Sequence, residues 1–370
     1  MSTRFYLIRH GESTFNAEGR FQGCCDEAVL TAEGIATARA AGEYLRHAGL
    51  EAVLSSPLQR AAQTAGHIRA QLPGDLPFGT DPDLREIDLP LWERKALADV
   101  RAEYGEPFRM WKEEPQAFRM GGRFPVADLF ERAARLWPRL LGRFRGRTVL
   151  LVTHGGAGRA LIGTAIGMPC ARYHVLQQSN GGISLLEFPD GELSSARVLA
   201  INATEYEEAR LPKIKEAKSG VRVAVIPSSP FAPDGVPAVT VLRGMQFRSV
   251  FASSPAAREW GEALLAALGA DSRAEIRIAP SLPIPGGDGP LQSILWVADP
   301  AALCDALAGA MGLPSGAARR LVPIPATLTV LHRPENDRGI TVQGMNLQDA
   351  ERLARGGSYG SVSAGSGGLR

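Results

Sequence analysis

Phe5-Tyr6-Leu7-Ile8-Arg9-His10-Gly11-Glu12-Ser13 sets four large apolar residues directly against an Arg-His-Gly triplet. A run of that length without polar alternation reads as a strand buried on both faces, the kind found in parallel sheets. Open α/β sheets bind ligands at the carboxyl ends of their strands, so Arg9 and His10 fall at the predicted mouth of a site. Gly11 is expected to let the backbone approach an anion closely. Alone, such a triplet belongs to many ordinary loops. It gains weight only from partner motifs further along the chain.

Outward from this stretch, strand-like and helix-like segments alternate. A helix is predicted from a Thr31 cap to about His47, then a short strand end at 53–55 and a helix from about Pro57 to Leu72. Residues 148–153 read as a second buried strand, followed by a helix from about Gly158 to Ile166. Residues 182–188 read as a strand ending in the Pro189-Asp190-Gly191 turn. This order predicts an α/β fold in three layers, a mostly parallel sheet flanked by helices. Residues 93–145 form a long, charged insertion with helical parts.

Three more motifs sit at element ends. Ser55-Ser56-Pro57-Leu58-Gln59-Arg60 puts Arg60 at a helix start, where a guanidinium can join the helix N-terminus in holding phosphate. Leu84-Arg85-Glu86-Ile87-Asp88 offers Glu86 as a carboxyl acid, and Leu151-Val152-Thr153-His154-Gly155-Gly156 repeats the strand-His-Gly pattern. Taken singly, Arg60 is a solvated helix start, Glu86 a surface charge and His154 a structural histidine. Together they supply a nucleophile, two guanidiniums, a second imidazole and a proton donor. Phosphoryl transfer needs little else: positioning, neutral equatorial oxygens and a proton for the leaving oxygen. Attack by the His10 imidazole would give a phosphohistidine that water then hydrolyses. No Asp/His cluster suggests a metal, and no organic cofactor is called for.

These motifs closely resemble those of the histidine phosphatase superfamily, which includes the cofactor-dependent phosphoglycerate mutases. The resemblance covers about residues 3–204. It implies a phosphoglycerate mutase-like fold with His10 as the phosphorylated residue, Arg9, Arg60 and His154 around the phosphate, and Glu86 as proton donor. It also implies that Asn16 contacts phosphate, that Gln22 and Gly23 lie near the substrate, and that the His154-Gly155 peptide donates a further hydrogen bond. Ile87-Asp88-Leu89-Pro90-Leu91-Trp92-Glu93 looks like the phosphatase branch, where mutases carry a Glu-Arg-His-Tyr-Gly type segment. Trp111-Lys112-Glu113-Glu114-Pro115, Pro125-Val126 and Gln177-Gln178-Ser179-Asn180 are similar to two-domain cyanobacterial and plant members. That narrower likeness suggests L-phosphoserine, 2-carboxyarabinitol 1-phosphate or related sugar phosphates as substrates. Glu93-Arg94-Lys95 departs from the Trp-Glu-Gly of many relatives, which is expected to alter the insertion's hinge.

Beyond residue 204 the same order of segments recurs in weaker form. Val223-Ala224-Val225-Ile226 echoes Phe5–Ile8. Ser253-Ser254-Pro255 echoes Ser55-Ser56-Pro57 at an offset of 198, and Gly312-Leu313-Pro314 echoes Gly167-Met168-Pro169 at 145. The expected organisation is a catalytic domain at 1–204, a linker at 205–220, a degenerate and non-catalytic copy lacking the insertion at 221–350, and a disordered Gly/Ser-rich tail at 351–370. In that copy Pro227, Ser228, Ile284 and Asp299 stand where Arg9, His10, Glu86 and His154 would. Only Arg258, opposite Arg60, is retained.

The bulk properties exclude other classes. Net charge is +2 across 370 residues, too little to draw nucleic acid or an anionic membrane. No apolar run reaches the roughly 20 residues of a membrane span. The first strand starts too near Met1 for a leader peptide, and the four cysteines show no zinc or disulfide spacing. A cytoplasmic protein, with a homodimer as its assembly, is the expectation. Gly155-Gly156-Ala157-Gly158 lacks the acidic residue that a dinucleotide fingerprint needs about 20 positions on. Cys24-Cys25 reads as two semi-buried thiols, with oxidation obstructing the pocket as the alternative. Arg109, Lys112, Arg119 and Arg123 are candidates to meet a substrate carboxylate. A mutase and a non-catalytic phosphometabolite-binding regulator are the rival functions.

Overall fold

In the computed structural model the opening apolar run forms β1 (Thr3–Arg9). The structure describes residues 1–204, 206, 211–214, 219–230, 233, 241–243, 245–269, 275–284, 290–335 and 339–347. The expected tail and parts of the expected linker lie outside them. β1 pairs in parallel with β4 (Thr148–Thr153), Phe5 opposite Val149 and Arg9 opposite Thr153, and antiparallel with β5 (Ile183–Phe188). β2 (Ala52–Ser55) lies parallel between β4 and the short β3 (Phe78–Thr80), and β6 (Arg197–Ala203) returns antiparallel along β5. The helices of this half are α1 (Thr14–Ala17), α2 (Ala32–Leu45), α3 (Gln59–Arg69), α4 (Leu97–Glu103), α5 (Gly105–Glu113), α6 (Pro125–Arg143) and α7 (Gly155–Ile166). The Thr31 hydroxyl accepts from Gly34 N–H and caps α2, as the sequence predicts.

The second half contributes β7 (Val221–Pro227), β8 (Ser249–Ala252), α8 (Pro255–Leu268), β9 (Ile276–Ile278), β10 (Gln292–Ala298), α9 (Pro300–Met311), β11 (Leu328–Arg333) and β12 (Thr341–Leu347). Among the described residues twelve strands form one sheet in the order β3-β2-β4-β1-β5-β6-β12-β11-β7-β10-β8-β9. Six neighbouring pairs are parallel and five antiparallel, so the sheet is mixed rather than mostly parallel. The turn at 189–191 accounts for one of the five, the β5–β6 pair: a connection that short returns the chain as a hairpin, which cannot be parallel. Alternate residues of β1 face opposite ways. Phe5 and Leu7 join a core with α6, α7 and α9, while Tyr6 and Ile8 join one with α2, α3 and α8. Each core runs through both halves. Among the described residues no helix is long and apolar enough to cross a membrane.

The halves meet through contacts that come in reciprocal pairs. Leu176 bridges to Val342, and Leu321 bridges to Val198. Gln177 N–H donates to the Val342 carbonyl at 2.9 Å, and Val322 N–H to the Val198 carbonyl at 3.3 Å. Asn202 and Asn346 both adopt positive φ, and each side-chain amide crosses the junction, to the carbonyls of Gln343 (2.6 Å) and Leu199 (2.9 Å). The offset between β2 and β8 is 197, not 198: Ser56 N–H donates to Val152 as Ser253 N–H does to Val297. Arg60 is the second residue of α3 and Arg258 the fourth of α8. At the 197 offset Arg60 stands opposite Ala257, and the one further residue to Arg258 turns a helix by about 100°, so Arg258 faces solvent and pairs with Glu262 instead of occupying Arg60's place.

Packing also requires glycine at position 11. A Cβ there would lie 2.3 Å from the Gly34 carbonyl oxygen, and one on Gly34 would lie 2.0 Å from that of Glu12. The backbone after β1 and the first turn of α2 touch directly. Gly11→Ala is therefore expected to destabilise the fold by about 1–3 kcal/mol, as overpacking does. Urea denaturation checks this: the midpoint should fall at unchanged m, and an unaltered midpoint would refute the contact.

Candidate active site

The parallel register delivers two histidines to one place. His10 N–H donates to the Thr153 carbonyl at 2.9 Å, and the His10 and His154 rings meet edge to face with centroids 5.2 Å apart. His10 Nδ1 lies 2.7 Å from the Gly11 carbonyl oxygen. A carbonyl only accepts, so Nδ1 carries the hydrogen and Nε2 keeps its lone pair. His154 is wholly buried, its Nε2 2.8 Å from the Ser56 hydroxyl and its Nδ1 without a hydrogen-bond partner among the described residues. Burial, then the charges of Arg60, His10, Arg9 and Arg132, hold it well below the ordinary histidine range, so the ring is neutral.

The guanidiniums are held by backbone carbonyls. Arg9 Nη1 donates to Gln178 (2.9 Å), and burial, opposed by Glu86, pulls its pKa down to about 10, which leaves it charged at neutral pH. Arg60 is fully buried and donates to the carbonyls of Cys25 and Gly23, both at 2.8 Å, which ties the loop of Gln22 and Gly23 to α3. The Nε atoms of both arginines lack partners among the described residues. The Glu86 carboxylate lies across the start of α7, accepting from Gly156 (3.0 Å), Ala157 (3.0 Å) and its own neighbour Ile87 (2.8 Å). A carboxylate suits a helix N-terminus.

Arg9, His10, Gln22, Gly23, Arg60, Glu86 and Gly155 line one hollow of about 580 Å³. Two expected site residues do not line it. His154 lies buried beside His10, and Asn16 braces the loop, its Oδ1 accepting from Ser13 N–H, Ser13 Oγ and Asn180 Nδ2. The sequence reading missed Arg20, Arg101, Arg159, Tyr173, His174 and Gln178 in the lining. Arg159 was within reach, one helical turn after Gly155 on the same face. The others carry no periodic or motif signal.

Of the four insertion cations only Lys112 lines the hollow. Arg109 is engaged by Glu106 and Glu113, Arg119 lies over the Phe124 ring, and Arg123 pairs with Asp128 beside a separate hollow of about 280 Å³. The Glu93-Arg94-Lys95 departure ties the insertion to the pocket loop. Glu93 accepts from the N–H groups of Cys24 (2.7 Å) and Cys25 (3.1 Å), while Arg94 takes a φ of 67° and pairs with Glu27. The Cys24 thiol donates to the Glu86 carbonyl, and burial pushes its pKa up to about 11, keeping it a protonated thiol.

The sequence profile of the histidine phosphatase superfamily (branch 1) matches residues 5–201, and the chain belongs to that superfamily. It is 38% identical over 185 residues to a probable 2-carboxy-D-arabinitol-1-phosphatase of Arabidopsis thaliana, a match covering 50% of this chain and 38% of that one. It is 34% identical over 226 residues to the 2-carboxy-D-arabinitol-1-phosphatase of Triticum aestivum, covering 60% and 45%. The matches thus span less than half the length of these plant relatives. A probable phosphoglycerate mutase of Salmonella paratyphi B is 30% identical over 211 residues, 57% of this chain and 97% of that protein.

His154 sets a pH dependence of stability. Its folded pKa is depressed below its unfolded value near 6.5, so the unfolded chain binds the proton first as pH falls. Its contribution is complete above about pH 6.5 and is lost below, by up to ~1.4 kcal/mol per pH unit. Denaturation midpoints measured from pH 7.5 to 5 should fall, and His154→Gln should flatten the slope over that window. An identical slope in the variant would contradict the assignment.

Proposed function

We propose that the protein is a phosphomonoesterase acting on a small phosphorylated metabolite through a phosphohistidine at His10. The observation that carries this is the 2.7 Å contact of His10 Nδ1 with the Gly11 carbonyl, which makes Nδ1 the donor and Nε2 the nucleophilic nitrogen of a ring that lines a cation-rich hollow. In the first step Nε2 attacks phosphorus and the ester P–O bond breaks. Arg9 and Arg60 offer positive charge and N–H groups to the equatorial oxygens, while the neutral His154 packs edge to face behind the His10 ring. Glu86 enters this step protonated, gives its proton to the departing alkoxide, and ends as a carboxylate accepting its three backbone N–H groups. In the second step Glu86 takes a proton from water, water oxygen attacks phosphorus, and the P–N bond breaks to release phosphate.

A phosphorylated carboxylic acid such as phosphoserine, or a sugar-acid phosphate, fits best. Glu86 is the one carboxylate lining the hollow among the described residues, against Arg9, Arg20, Arg60, Arg101, Lys112 and Arg159. That excess suits an anion beyond the phosphate, and the plant relatives' names point to the same class. The likeness to a probable phosphoglycerate mutase keeps phosphoryl transfer between substrate oxygens as the second reading.

We infer further that residues 221–350 are a degenerate, non-catalytic copy of the fold. The strand order and reciprocal junction support this, as does Ser228 N–H on Ala298, the counterpart of His10 N–H on Thr153. Where His154 meets Ser56, Asp299 there meets Ser253 (2.7 Å). An acid in that position repels phosphate.

Phosphate release should be measured on phosphoserine, phosphoglycerates, pentulose bisphosphates and carboxyarabinitol phosphate. Release from at least one acid phosphate is expected, and His10→Ala should lower it at least on the order of a thousandfold. Isomerised 3-phosphoglycerate without release would favour the mutase. No turnover of any ester would favour a binding protein.

A further inference from the structure

The second half keeps no counterpart of the nucleophile, yet it reaches the hollow. Pro334, just past β11, lines it together with Lys112, His174 and Gln178. Behind that lining runs the short segment from Leu176 to Ser179, which holds two of the arginines. The Gln178 carbonyl accepts from Arg9 Nη1 (2.9 Å), and the Leu176 carbonyl accepts from Arg159 Nε (2.7 Å).

The other side of the segment is fastened to the second half. Leu176 bridges to Val342 of β12, and Gln177 N–H donates to the Val342 carbonyl. The Gln177 side chain accepts from Gln343 Nε2 (3.3 Å) and donates to the Lys213 carbonyl (3.0 Å). Gln343 is itself buried, and its Oε1 accepts from Arg222 Nε (2.9 Å). Ser179 N–H is held by Asn202, whose amide reaches the Gln343 carbonyl.

The reciprocal junction supplies an internal control. In the mirror contact, Val322 takes the place of Gln177 and meets Val198 through the same backbone bond, while Leu199 takes the place of Gln343. The backbone pattern is common to both contacts. A polar side-chain pair is present only where the adjoining segment holds Arg9, and the counterpart of Arg9 in the second half is Pro227, which has no guanidinium to hold. Fold stability alone is met by Val and Leu. The polar pair is what sets this contact apart from its mirror, and it ties the segment that holds Arg9 to Arg222 and the Lys213 carbonyl as well.

We propose that the second half is the back wall of the phosphate site, and that Gln343 and Gln177 are positioning residues that fix Arg9 through the Gln178 carbonyl. This rests on the phosphatase reading above and assigns the degenerate half a part in it. A guanidinium held by one carbonyl is placed only as well as that carbonyl is placed, and a small misplacement weakens anion contact sharply.

The test is binding of orthovanadate and of inorganic phosphate to the full-length protein, read by calorimetry, so that no turnover is required. Gln177→Val and Gln343→Leu install the residues of the mirror contact. Each is expected to weaken anion binding roughly tenfold, to raise KM more than it lowers kcat, and to be non-additive with Arg9→Lys in a double-mutant cycle. Hydrogen exchange of the wild-type protein gives a second measurement that needs no variant. By linkage, phosphate should slow exchange in Thr341–Leu347. Unchanged anion affinity in a folded variant, strict additivity with Arg9→Lys, or exchange in β12 indifferent to phosphate would each overturn the wall while leaving the phosphatase reading intact. Wild-type protein that neither binds vanadate nor releases phosphate would overturn both.

Discussion

Parallel register between β1 and β4 is the constraint on which the site depends. Once Arg9 lies opposite Thr153, the next residue of each strand is a histidine, and both leave the sheet at its carboxyl edge. The His10 N–H to Thr153 bond extends the ladder one step further and fixes how far His10 projects. Shifting a strand by one residue would send Arg9 and His10 to opposite faces. The core prevents this, because Phe5 and Leu7 fill one side while Tyr6 and Ile8 fill the other.

The cations need more than register. Gathering guanidiniums beside a neutral imidazole in a partly dry hollow is unfavourable, and the protein offsets it with backbone carbonyls. Gly23, Cys25 and Gln178 each accept from Arg60 or Arg9. Those dipoles replace water without cancelling the charge, so an arriving anion supplies the missing counter-charge. The same carbonyls orient each guanidinium. Loop and wall segments that look incidental are thereby made part of the site.

Much of this was legible in the sequence, and the reasons are local. The apolar runs at 5–8 and 148–153 could be little other than buried strands, and the arginine, histidine and glycine at their ends come to the edge of the sheet that borders the hollow. The Thr31 cap and the turn at 189–191 also read true. The short edge strand β3 and the strand β6 escaped notice, since three residues at an edge carry almost no pattern and Arg197-Val198-Leu199-Ala200 alternates weakly. The steric demand on Gly11 could not be read, because it comes from a residue 23 positions away, Gly34. Arg258 was misplaced because the similarity of two Ser-Ser-Pro triplets pulled the echo one residue off the register set by hydrogen bonds. The wall from the second half was beyond reach: nothing in Gln177 or Gln343 signals a partner more than 160 residues distant.

The most direct measurement is rapid quench of the protein with a turned-over phosphate ester, followed by peptide mass analysis under alkaline conditions that preserve phosphohistidine. The account predicts one phosphoryl group on the peptide containing His10, absent from His10→Ala. A phosphoryl group on another residue, or steady hydrolysis in the His10→Ala protein, would contradict it.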